Sequence, residues 1–98
     1  INTCESYARL LILKREFGKA LKLINYAQQL SGVVKSRFYR LEALVYEKQK
    51  RLERAQEILY RAIEESCDSE FLSFLEEELT RVDKKIDMSL KVKYHLVG

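Results

Sequence analysis

The sequence predicts an all-α protein: antiparallel helical hairpins stacked as a short solenoid, five helices in all. Three observations carry this expectation. Proline is absent and glycine occurs three times, which leaves little of the turn chemistry an all-β chain needs. Apolar residues recur at helical spacings, as in Ala55, Leu59 and Ala62 at i, i+4 and i+7. The chain also repeats itself at a step of 35 residues. Ala8, Leu11, Phe17, Ala20, Ile24 and Ala27 are answered by Ala43, Tyr46, Leu52, Ala55, Leu59 and Ala62. A period of about 20–50 residues marks stacked repeats. Alanines at such positions let two helices cross with no side chain between the backbones.

The first helix is expected over about Thr3 to Lys14, with Thr3 as its N-cap. Cys4, Tyr7, Ala8 and Leu11 form its expected inner face. Leu10, Ile12 and Leu13 are apolar too, so the stripe wraps most of the helix. A helix apolar all round is normally buried all round, either within this hairpin or under an upstream repeat or a partner chain. The second helix runs from about Phe17 to Leu30, and Ser31-Gly32 supplies a glycine stop. The third runs from about Lys35 to Lys48, with Ser36 as a cap and Tyr39, Ala43 and Tyr46 inward. The fourth runs from about Leu52 to Glu65. Ser66-Cys67-Asp68-Ser69 then interrupts the pattern, and Asp68 or Ser69 caps the next helix.

The fifth helix starts near Glu70. Leu72, Leu75, Leu79, Val82 and Ile86 step by three and four along it. Glu76, Glu77 and Glu78 break the alanine register, so it reads as a long capping helix and not as a third repeat. After Met88 the pattern fits two periods. Leu90, Val92, Tyr94 and Leu96 alternate like a strand, whereas Ile86, Leu90, Tyr94 and Val97 suit a helix. The expectation is helix to about Val92, then a tail. The chain thus divides into a repeat domain over 1–88 and a tail over 89–98. Within the domain, the first repeat covers about 1–35, the second about 36–70 and the capping helix about 70–88.

The alanine-spaced residues give the chain its resemblance to the tetratricopeptide repeat family, a helix–turn–helix of about 34 residues. The residues concerned are Ala8, Leu11, Phe17, Ala20, Ile24 and Ala27 with their six partners from Ala43 to Ala62. The likeness covers 1–70. Arg15 and Lys50 stand where the family has a turn glycine. The resemblance implies a concave face, lined by the first helix of each pair, that holds a peptide or helix of another protein. Outward positions on this sequence would be Glu5, Arg9, Ile12 and Leu13, then Arg37, Arg40, Leu44, Glu47 and Lys48. The expected partner-binding residues are Arg9, Ile12, Leu13, Arg37, Arg40, Leu44 and Lys48. The arginines suit carboxylates, and Ile12 and Leu44 suit an apolar anchor.

The charge pattern has two readings: solvated helix faces with pairing between helices, or a basic groove. Residues 1–54 hold twelve Lys/Arg against five Asp/Glu, a net of +7. Residues 55–83 hold two against nine, a net of −7, and 84–98 hold four against one. A basic groove recruits an acidic, partly apolar segment. Two other readings stand beside this one. The module could self-associate through helix one or helix five, or bind nucleic acid through its basic half. Most tyrosines, however, sit at core spacings, which leaves few for stacking on bases.

An enzyme is not expected. His95 is the sole histidine, and neither a hydrolytic triad nor a zinc site can be assembled around it with Cys4 and Cys67 in the repeat pattern. No glycine-rich phosphate loop occurs, and no cofactor is expected. Both cysteines read as reduced thiols at or near the core, which points to an intracellular setting. No apolar run approaches the roughly 18 residues of a membrane span, so no membrane partner is expected. The chain begins at Ile1, and it is expected to be a fragment of a larger repeat protein.

Overall fold

The computed structural model describes residues 2–30 and 35–97, with side chains over 4–30 and 35–90. Among the described residues it is all-α, with five helices: α1 (Asn2–Leu13), α2 (Phe17–Gln28), α3 (Lys35–Lys48), α4 (Leu52–Glu65) and α5 (Ser69–Val97). The bounds of α3 and α4 are the expected ones. Helix α1 begins one residue earlier than expected, so Thr3 lies inside it and is not its cap. Ser36 likewise lies inside α3, where it is buried. The Ser31-Gly32 stop lies outside the described residues. Asp68 caps α5, its carboxylate accepting the Glu70 N–H at 3.0 Å. The helix continues to Val97, past the expected tail boundary. No glycine or proline occurs from Ser69 to Val97, so nothing breaks the helical period.

The α1–α2 and α3–α4 turns are copies of one another. Each turn contains a residue with positive φ, Arg15 at 63° and Lys50 at 65°. The Arg15 N–H donates to the Ile12 carbonyl at 3.0 Å, and Glu16 N–H to Leu11 at 2.9 Å. Thirty-five residues on, Lys50 N–H donates to Glu47 at 3.0 Å and Arg51 N–H to Tyr46 at 2.8 Å. Both are six-to-one and five-to-two Schellman closures, which satisfy the last carbonyls of the helix and turn the chain back. Neither position is a glycine, yet each holds the left-handed backbone that favours one.

Two cores lie on either side of α3. In the first, Ala8, Leu11 and Ile12 of α1 meet Ala20, Ile24 and Ala27 of α2 and Phe38, Leu41 and Val45 of α3. In the second, Ala43 of α3 meets Ala55, Ile58, Leu59 and Ala62 of α4, with Leu75 and Val82 of α5. The six spaced alanines are all at most 2% exposed, as expected of residues between closely packed helices.

The buried stripe of α1 is rotated from the expected one. Ile12 is 1% exposed, whereas Tyr7 is 55% exposed. The cause is a second neighbour: α1 packs on α3 as well as on α2, which draws Ile12 inward and leaves Tyr7 outside. Leu10 and Leu13 are exposed too, so α1 is not covered all round. Cys4 packs against the first core, but Cys67 is exposed in the α4–α5 connection, a correction to its expected place near the core.

Candidate partner-binding groove

Helices α1, α3 and α5 lie side by side in the stack and present matching rows of side chains to one groove. Glu5, Arg9, Ile12 and Leu13 come from α1, and Arg37, Arg40, Leu44 and Lys48 from α3. Phe71 and Phe74 of α5 complete a lining that leaves about 360 Å³ of open space. All seven residues expected at a partner site thus line a single groove. Ile12 does so from within the core, so it is not an exposed anchor. Apolar contact is left to Leu13, Leu44, Phe71 and Phe74.

The aromatic wall was not legible as part of the site. Phe71, Phe74 and Glu78 follow Arg37, Arg40 and Leu44 by 34 residues, one fewer than the step between the first two hairpins. That one-residue shift places α5 in the stack as the first helix of another pair would be placed. The alanine position then falls on Glu77, which is exposed. The signal was available in the 34-residue spacing, but the glutamates at 76–78 obscured it.

The groove's arginines are engaged, not bare. Arg9 Nη2 lies 3.2 Å from Glu5 Oε1, and Arg37 Nη1 lies 3.5 Å from the same oxygen. Arg40 donates through Nε to Glu78 Oε1 at 3.1 Å, and its Nη2 lies 3.1 Å from the same oxygen. Each α3 arginine also stacks on its row-mate from α5, Arg37 at 5.5 Å from the Phe71 ring and Arg40 at 4.9 Å from Phe74. Such cation–π contacts contribute about 0.5–1 kcal/mol at exposed sites, more when desolvated. Lys48 is exposed at the far end.

Behind the groove the pairing continues. Arg81 bridges Glu78 and Glu47, the latter at 2.8 Å, and Lys85 reaches Glu47 at 2.6 Å. Glu5, Glu47 and Glu78 are buried, and each holds two cations. A buried carboxylate is tolerated when its lone pairs are taken up in this way. The network ties α5 to α3 through long side chains, whereas α5 meets α4 through Leu75 and Val82.

Elsewhere, burial raises the Glu42 carboxyl above its ordinary value, partly offset by the Gln28 amide that donates to it at 3.4 Å and by Arg54 and Arg61. Among the described residues no three His, Cys, Asp or Glu side chains converge as metal ligands. No helix there is long and apolar enough to cross a membrane. No protein-family model, curated protein or solved structure matches the chain.

Proposed function

We propose that this protein is a non-enzymatic interaction module of tetratricopeptide type, and that its groove holds an acidic, partly apolar segment of another protein. The observation that carries the reading is a single groove lined by Arg9, Arg37, Arg40 and Lys48 together with Leu13, Leu44, Phe71 and Phe74. An exposed charge pair contributes only about 0–1 kcal/mol. Apolar burial at Leu44 and the two phenylalanines therefore supplies most of the affinity, and charge sets the association rate and the choice of partner. The test is capture of partners from extract by the parent protein and by Arg40→Glu, with surface-binding kinetics then measured on whatever the parent retains. Arg40→Glu should slow association and flatten its salt dependence. Leu44→Asp should speed dissociation and leave the salt slope nearly unchanged. If both variants bind as the parent does while keeping its helical content, the groove is not the site.

A second reading has its own support. Tyr7, Leu10 and Leu13 of α1 are exposed, and an apolar helix face is a candidate for self-association. Sedimentation mass measured against concentration separates the two readings: a monomer favours the groove, and a dimer lost in Leu10→Ser favours α1.

A further inference from the structure

We infer that Glu5 and Glu78 are internal competitors for the groove's arginines, so that the groove admits segments carrying at least two carboxylates beside an apolar residue and rejects singly charged ones. The inference rests on the groove being a partner site.

The geometry of Arg40 is the starting point. Glu78 Oε1 sits 3.1 Å from both its Nε and Nη2, on the edge of the guanidinium that an incoming carboxylate would approach. Glu78 thus stands where a partner's carboxylate would stand. Glu5 does the same for Arg9 and Arg37, binding one nitrogen of each. Across the groove, four cations face two carboxylates. The net charge of about two positive is well below what the cations alone would give.

Exchange at these positions is feasible because neither carboxylate depends on one partner. When Arg40 turns to an incoming acid, Glu78 keeps Arg81. When Arg37 turns away, Glu5 keeps Arg9. A buried charge stripped of its only partner is strongly destabilising, but one that retains a second cation is not stranded. Each exchange replaces one ion pair by another, so a single incoming carboxylate gains little. Two carboxylates answer the residual charge of the groove, and an apolar side chain on Leu44, Phe71 and Phe74 supplies the remainder. Nucleic acid fits less well, because the free cations are few.

The test uses the whole chain and two synthetic probes. One is a dye-labelled peptide with four glutamates bracketing two leucines at helical spacing; the other has glutamine at those four positions. Binding is read by fluorescence anisotropy for the parent, Glu78→Gln and Glu47→Gln. The two substitutions remove the same charge from the same network, but only Glu78 holds a groove arginine. Glu78→Gln should bind the acidic peptide roughly three- to tenfold more tightly, with a steeper salt dependence, and leave the glutamine peptide unchanged. Glu47→Gln should match the parent. Where the parent binds the acidic peptide, equal tightening in both variants, or none in Glu78→Gln with helical content intact, overturns the competition.

A second measurement needs no peptide. Sodium sulfate is titrated while the arginine Nε–Hε resonances are tracked by NMR. The Arg40 signal should move at lower sulfate in Glu78→Gln than in the parent, and equal midpoints overturn the inference whatever the peptides do. If sulfate behaves as expected but no variant binds the acidic peptide, the partner reading fails and the competition stands.

Discussion

Arg15 and Lys50 hold left-handed backbone at 63° and 65°, where a side chain costs about 1–2 kcal/mol. Glycine there would relieve that strain but would lose about 0.5–1 kcal/mol through its greater freedom when unfolded. Arg15→Gly and Lys50→Gly should therefore each stabilise the fold, by up to about 1 kcal/mol in urea melts. Arg15 also lies 5.6 Å from the Phe17 ring, so its gain should be the smaller. Two neutral or destabilising results would mean that the turns are not strained. Glu42 gives a prediction with a sign. Its carboxyl is raised above 4.5 by burial, so the folded state holds the proton more tightly than the unfolded state. The stability this gives is complete below pH 4.5 and is lost as pH rises through the folded value. Glu42→Gln removes the loss. Its stability relative to the parent should grow between pH 4 and pH 7, and a difference that shrinks over that range would contradict the assignment.

At the scale of the element, the alanines decide which helices touch. Ala20 and Ala55 are fully buried at equivalent positions in α2 and α4. Leucine at either should overpack its crossing and cost roughly 1–3 kcal/mol in urea melts. Two neutral results would place these residues away from the crossings and would end the repeat interpretation. This part of the fold was legible because a methyl-sized contact leaves a mark at fixed spacing, and the mark occurs twice in register. The phase of α1 was less legible. Periodicity alone could not choose between Tyr7 and Ile12, because the choice depends on α3, a neighbour more than twenty residues away. The end of α5 was ambiguous for a different reason: Leu90, Val92, Tyr94 and Leu96 fit two periods at once, and only continuity with the helix before them decides.

Across the whole molecule, the groove shows the same division. The α1 and α3 rows could be read from their spacing, whereas the ion pairs Arg40–Glu78 and Arg81–Glu47 join residues 34 to 38 apart. No local pattern announces them, since glutamates on a helix are usually solvated. The same long-range pairs bear on how the molecule comes apart. The two cores share only α3. One is closed by α1, whose Tyr7, Leu10 and Leu13 face outward. The other is closed by α5, held to α4 by Leu75 and Val82 and to α3 by the charge network. In a stack stabilised by nearest-neighbour contacts, the less enclosed end opens first. Amides of α1 should therefore exchange with deuterium before those of α4, through an opening that leaves α3–α5 intact. Phe38 is the largest side chain that α3 commits to the first core. Phe38→Ala should cost about 3–5 kcal/mol there and accelerate exchange throughout α1 and α2 while leaving α4 close to the parent. The urea transition of that variant should split or lose slope, because part of the surface is already exposed before the main transition. Equal acceleration in all five helices, with an unchanged slope, would show instead that the two cores unfold as one.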